Sequence, residues 1–447
     1  MRGLRSTAAL LVVLIGLGAY IYFVTWRRED PALSREDRVY RTLDGDDITE
    51  FTIKAGSDVT TVRKQGESWQ IVSPVTFPAS PTQVQGLTSM LGYIDIVRVI
   101  DEDPKDLNEY GLANPRVSIE FKIPGETQLG ALLIGNKSPT GDNIYAKRAD
   151  EKRVVLIGSH QESSLSRTTF DLREKKIVEF RREQVDGLEI KMGRQHLAFK
   201  KNGSQWIMVS PMTARAEFAA VDDLIGSIEV AQMRSVVSDE ATPADMKSYG
   251  LDPPEVSVDV NVGGTRTTLL VGKLATEDSF YAKDPAKPAI ITVEKILSDG
   301  LRKPVDDFRR KDVFEFRSFT ATRVELTKGG QSAVFELVKG TGDKPQDSWR
   351  RVSPNPGEVD KARFDSLLTG LTDMRATGFV PATASTGLRT PALTVAVKFD
   401  EGAKEERVTF GRSGKDAYAS RPDEPGALKI EPEMLDKAIE ALDQLSK

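Results

Sequence analysis

No cysteine occurs among the 447 residues. Disulfides, thiol nucleophiles, iron–sulfur clusters and thiolate zinc sites are excluded at once. The compartment is not, because a large domain can fold outside the cytoplasm without disulfides. Histidine is almost as scarce. His160 and His196 are the only two, and neither stands in a metal-binding or triad-like spacing, so surface positions are expected for both. A basic excess is missing too. Lys and Arg number 62 against 67 Asp and Glu, a formal charge of −5. Residues 1–28 hold four arginines and no acid, so the remainder carries −5 − 4 = −9. Phosphate recognition needs a concentrated basic face, so nucleic acid is not an expected partner.

Nucleotide binding fares no better. "GALLIGNKS" (130–138) has the outline of a phosphate loop, but Asn136 separates the second glycine from the lysine, and no helix start follows. It reads as a strand followed by a glycine turn. "DGDD" (44–47) and "DEDP" (101–104) lack the ligand alternation and distal glutamate of a calcium loop; "DEDP" reads as a cap before a short helix. No metal, cofactor or catalytic residue is assigned.

Long apolar runs are absent but for one. Thr7–Trp26, "TAALLVVLIGLGAYIYFVTW", is uncharged, with Arg2 and Arg5 before it and Arg27 and Arg28 after it. A 20-residue helix spans roughly 30 Å, the hydrocarbon thickness of a bilayer. Tyr20, Tyr22 and Trp26 gather at the far end, where amphipathic rings favour the headgroups. A secretory signal would have a shorter core and a small-residue cleavage site, and this run has neither. A single-pass anchor in the lipid bilayer through residues 7–26 is expected. The arginines at 35, 38 and 41 favour a cytoplasmic body, yet long domains cross largely regardless of charge, so an extracytoplasmic body is the orientation adopted.

The remainder of the chain is rich in repetition. "WQIVSP" (69–74) returns as "WIMVSP" (206–211) and "WRRVSP" (349–354); "YGLANP" (110–115) as "YGLDPP" (249–254) and "TGLRTP" (386–391). "LLIGNK" (132–137) is followed by "LLVGK" (269–273) and "VTFGR" (408–412), and "IYAKR" (144–148) by "FYAKD" (280–284) and "AYASR" (417–421). "DLREKKIVEF" (171–180) matches "DFRRKDVFEF" (307–316). Phrases in fixed order at a period of roughly 137 residues mean three tandem units. In each, short strands end at "SP", and a helix with one apolar face comes next: Val84, Leu87, Met90, Leu91 and Ile94; Val221, Leu224, Ile225 and Ile228; Phe364, Leu367, Leu371 and Met374. The glycine of "YGL" is placed as a left-handed helix stop. Alternation in "RVSIEFKI", "EVSVDVNV" and "ALTVAVKF" predicts antiparallel strands with one covered face.

The expected fold is α+β, a transmembrane helix followed by three repeats, each a mainly antiparallel sheet with one main helix. The expected limits are an anchor over 1–28, a charged linker over 29–44 and lobes over 45–180, 181–316 and 317–447. Every recurring phrase is apolar or conformational, so Trp69, Trp206 and Trp349 are expected in lobe cores. An envelope hydrolase of glycan or peptide remains a second reading, and an exposed tryptophan platform for carbohydrate a third.

The anchor, with "W-x-x-x-SP", "YGL-x-x-P", "LLIG-x-K" and "Y-A-K-R" in order, resembles a bacterial domain-of-unknown-function family over nearly the whole chain. Its members are membrane-anchored, with genes near gliding-motility-type ABC transporter components. The third copy departs from the pattern, with Thr386 for the tyrosine and arginines inside the tryptophan phrase. The resemblance carries no catalytic residue. It implies an extracytoplasmic scaffold or binding protein accessory to an ABC-type transport complex, with the transporter permease or another envelope protein as partner.

Overall fold

The computed structural model describes residues 37–125, 130–340 and 346–446. The apolar run 7–26 lies outside them. Among the described residues, no helix is long and apolar enough to cross a membrane. The chain divides into two compact units, Met1–Lys175 and Lys176–Lys447. The first holds one lobe and the second holds two.

Each lobe is a nine-stranded, wholly antiparallel sheet. In the first lobe the strands are β1 (Glu50–Ala55), β2 (Asp58–Gln65), β3 (Ser68–Ser73), β4 (Phe77–Pro78), β5 (Arg98–Asp101), β6 (Val117–Lys122), β7 (Gly130–Lys137), β8 (Asn143–Arg148) and β9 (Val154–Gly158), in spatial order 4-3-2-1-6-7-8-9-5. The second and third sheets repeat that order. One face of each sheet is covered by its main helix: α1 (Pro81–Gly92), α2 (Phe218–Glu229) and α3 (Lys361–Thr372). The predicted helix faces are buried, except that Met90 is only partly covered. The alternating strands place Val117, Ile119 and Phe121, then Val256, Val258 and Val260, then Leu393, Val395, Val397 and Phe399 in the cores. The third lobe adds a terminal helix, α4 (Pro432–Ser446), whose Leu435, Ala438, Leu442 and Leu445 join its core.

The recurring phrases meet inside each lobe. After edge strand β5 the chain must return to the middle of the sheet to start β6, and it does so through the "YGL" turn. Gly111, Gly250 and Gly387 sit at φ 68°, 70° and 68°, the left-handed conformation expected. The carbonyl before each presses on a strand glycine. A side chain on Gly135, Gly272 or Gly411 would meet the oxygen of Tyr110, Tyr249 or Thr386 at 2.1, 2.2 and 2.4 Å. The "YGL" tyrosine packs on the "YAK" tyrosine, Tyr110 on Tyr145 with centroids 5.1 Å apart and Tyr249 on Tyr281 at 4.3 Å. The "YAK" lysines hold the turn after their strand: Lys147 Nζ donates to the carbonyls of Arg148 (2.9 Å) and Glu151, and Lys283 Nζ to that of Lys287.

Trp206 and Trp349 are buried; Trp69 is half-covered, beside Phe51. Buried ring faces cannot stack on sugars, so the platform reading loses both later copies. Each tryptophan carbonyl also accepts from the short strand that comes after it, from Ala79 and Ala216 N–H at 3.0 Å and from Val359 N–H at 3.3 Å.

A strap precedes each sheet and closes over the end of its helix. Val39 N–H donates to the Ile94 carbonyl (2.9 Å), Ile177 N–H to that of Ala231 (3.4 Å) and Val313 N–H to that of Met374 (3.0 Å). A cation clamps each strap from the far end of the sheet: Arg148 to the Val39 carbonyl at 3.4 Å, Lys287 to that of Ile177 at 2.6 Å, Arg421 to that of Val313 at 3.1 Å. These contacts move the expected boundaries. Val39 and Tyr40 are buried, so the segment taken as a charged linker, 29–44, contributes from Arg38 onward to the first lobe. Ile177 and Val178, expected at the end of that lobe, are buried in the second.

Two pairs of substitutions test this packing. Gly272→Ala drives a methyl onto the Tyr249 carbonyl and should cost about 1–3 kcal/mol or more, whereas Gly370→Ala, in open space on α3, should be neutral or stabilising. Trp206→Ala should cost about 3–5 kcal/mol and Trp206→Phe less, because the buried indole N–H has no partner to lose. Denaturant melts of the chain read both.

Candidate functional site

With the repeated residues consumed by packing, chemistry that distinguishes one lobe from another must sit on the uncovered sheet faces. The second lobe differs most. Its strands β10 (Gly187–Met192) and β11 (Gln195–Asn202) pair with Gly187 opposite Lys200, and β10 pairs on its other side with the strand Val256–Val262, Gly187 opposite Asn261. Leu188, Ile190, Leu197 and Phe199 point into the core. Alternation therefore sends Gly187, Glu189, Ala198, Lys200 and Asn261 to the outer face. A groove of about 570 Å³ lies there, with Gly187 and Ala198 on its floor and Glu189, Lys200, Asn261 and Arg266 among its walls.

At its edge stands a hydrogen-bond chain that sequence spacing did not reveal. His196 Nε2 lies 2.6 Å from Glu189 Oε1, and Ser210 Oγ lies 3.3 Å from His196 Nδ1. A carboxylate only accepts, so Nε2 carries the proton, and Nδ1 faces the serine hydroxyl. Partial burial pushes the Glu189 carboxyl up, but hydrogen bonds from Lys191 and His196 outweigh it and leave it below the ordinary range. The serine is brought in by a bulge: pairing skips a residue between Ala198 and Phe199, which sets Ala198 opposite Ser210.

Serine, histidine and carboxylate in a row suggest acyl transfer, and the details argue against it. The Ser210 hydroxyl also lies 3.0 Å from the His196 carbonyl, which competes for its proton. The residue after a nucleophilic serine commonly supplies an oxyanion-hole N–H, and here it is Pro211, which has none. The same Ser-Pro closes the equivalent strand in the other lobes, at Ser73 and Ser353, where no histidine faces it. His160 lies on a short helical turn, Ser159–Gln161, against Gly158.

The acidic phrases have structural duties. Asp44 Oδ1 accepts from Asp46 N–H at the start of a single helical turn (3.1 Å), and Asp101 Oδ1 from Asp103 N–H (3.0 Å). The turn before "YGL" is held by Asp106, whose Oδ1 accepts from Asn108 N–H at 2.8 Å, and not by "DEDP". No group of three or more His, Asp or Glu that could hold a metal occurs among the described residues. A second cavity, about 610 Å³, lies in the third lobe beside Thr386, at the place of the lost tyrosine.

At the place of Gly187 the first lobe has Glu50, which accepts from Arg63 Nε and from Lys122 Nζ (2.5 Å). These two hydrogen bonds, Lys122 first, hold its carboxyl below the ordinary range. A depressed carboxyl adds stability above its unfolded pKa and loses it as pH falls through the folded one. Glu50→Gln should therefore weaken the first lobe at pH 7, and the gap to the parent should close as pH drops below about 4. Hydrogen exchange of β1 and β2 amides measures it. For Ser210, a fluorophosphonate probe should label the chain no faster than it labels Ser210→Ala.

A family model described as "Domain of unknown function (DUF4340)" matches residues 69–207 and again 206–391. No curated protein sequence matches. Among solved structures, a DNA polymerase sliding clamp from Pseudomonas aeruginosa aligns with 90% of this chain and 95% of its own at 7% identity and a TM-score of 0.16. A putative DNA polymerase III beta subunit from Eubacterium rectale ATCC 33656 aligns with 90% and 94% at 6% identity, TM-score 0.16. The beta subunit from Thermotoga maritima does so with 90% and 94% at 8% identity, TM-score 0.14. At such scores these alignments carry no argument.

Proposed function

The chain belongs to the DUF4340 family, and from that premise we propose that it is a non-catalytic binding or scaffold protein, held to a bacterial inner membrane through residues 7–26, with its lobes outside the cytoplasm. One observation supports this above others. The residues that recur in all three lobes are spent on glycine contacts, core packing and strand ladders, which leaves the outer faces to vary. Three copies of one frame with different outer faces suit recognition better than a single reaction centre. The membrane assignment rests on the uncharged run and its arginine flanks. The partner assignment, an ABC-type transport complex, rests on the family resemblance alone.

Affinity capture of the tagged full-length protein from membranes in mild detergent should recover a permease or another envelope protein. Recovery of the chain alone would overturn the scaffold reading. A reporter fused after Lys447 should be active only outside the cytoplasm.

A further inference from the structure

One outer position is filled differently in each lobe. In the first, Glu50 stands between the cations Arg63 and Lys122. In the third, Arg323 stands there and bonds Glu336 from the neighbouring strand. Both lobes thus close the position with an internal ion pair. In the second lobe the central residue is Gly187, while the positions of the two cations hold Lys200 and Asn261. The donors remain and the carboxylate is gone.

Three features make this position a site. Asn261 Nδ2 lies 3.2 Å from where a Gly187 side chain would begin, so its donor covers the bare glycine. Arg266, on the strand beyond and paired with Asn261, reaches the same groove and is tied only loosely, 3.6 Å from Asp259 Oδ2. The other charges lining the groove are engaged: Asp186 Oδ2 accepts from Gly263 N–H at 3.1 Å, Glu189 holds Lys191 and His196, and the Lys201 ammonium lies over the Trp206 ring at 5.7 Å. The side chains of Lys200 and Asn261 have no protein partner among the described residues.

We infer that this groove binds the carboxylate of an acidic side chain from a partner protein, received between Lys200 and Asn261 with Arg266 behind them, where Glu50 sits in the first lobe. The inference rests on reading the chain as a binding protein and adds the chemistry of the bound group. A peptide segment is favoured over a small acid. The groove is open to solvent, and exposed Val209 lines it beside Lys200, an apolar contact for a neighbouring residue of an extended chain.

The test uses the full-length protein in mild detergent and a fluorescein-labelled hexaglutamate peptide, with hexaglutamine as control, read by anisotropy. Saturable binding of the glutamate peptide is expected, weakening as salt rises. Lys200→Ala, an exposed change, should weaken it about tenfold. Gly187→Glu, which supplies the carboxylate internally, should abolish it. No saturable binding, or binding unchanged by Lys200→Ala, overturns the site whether or not Gly187→Glu folds. Competition by glutarate as effective as by unlabelled peptide overturns the choice of a peptide. If capture recovers a partner equally with parent and Lys200→Ala protein, this site is wrong and the scaffold reading stands. If the peptide binds as expected but capture recovers no partner, the site stands and the scaffold reading falls.

Discussion

Everything in a lobe depends on one close approach, a backbone carbonyl resting where a side chain would be. The strand order puts β4 and β5 at opposite edges and β6 in the middle, so the chain crosses the sheet twice, first through α1 and then from β5 back to β6. Hairpins make the remaining connections; the second crossing passes β9, β8 and β7 with no long helix to carry it and lies close against the sheet. It does so because Gly135, Gly272 and Gly411 have no side chain, and because a left-handed glycine just after the contact turns the chain down toward β6. In the first two lobes the tyrosine that carries this carbonyl packs its ring on the tyrosine of the neighbouring strand. Three of the recurring phrases are therefore one contact, and in the third lobe the glycine contact survives with Thr386 in place of the tyrosine.

Within the second unit a buried ionic cluster joins the two lobes. Arg215 Nε bonds Glu424 and Arg215 Nη2 donates to the Asp312 carbonyl at 2.8 Å; Arg309 lies 3.8 Å from Glu424 Oε2 and 3.8 Å over the Phe379 ring. Glu406 accepts from the N–H groups of Glu315 and Phe316 and from Arg421 at 2.6 Å. Burial pushes the Arg309 guanidinium down, against the pull of Glu424 and Asp306. Removing one member of such a cluster strands a buried charge, a cost of several kcal/mol.

Much of this frame was legible in the sequence, because it is periodic. The helix faces, the alternating strands and the left-handed glycines each obey a local rule that the repeats state three times. The straps were not legible. "RVY" at 38–40 has the pattern of a charged linker, and only its register beside the end of α1 shows that Val39 and Tyr40 belong to a core. The Glu189–His196–Ser210 chain was hidden for a related reason. Its members stand 7 and 14 residues apart on neighbouring strands, and one skipped residue at a bulge decides whether the serine meets the histidine. Pairing register is a long-range property, and no spacing in a single strand contains it.

The groove was hidden in another way. Gly187 falls in a strand pattern where a lone glycine marks a bulge or a close approach, and here what approaches is the Asn261 side chain from the neighbouring strand. Its meaning appears only beside its counterparts, Glu50 and Arg323, which the strand pairings align and the sequence does not. Acid, glycine and arginine at one place give three outer faces on one frame: one closed by its own carboxylate, one closed by its own cation, and one with donors and no acceptor. A frame whose stability comes from the inner face and the crossover can tolerate such changes, since none of the three side chains touches the core. That separation of a repeated interior from a divergent exterior is the physical reason tandem copies can take on different partners without refolding.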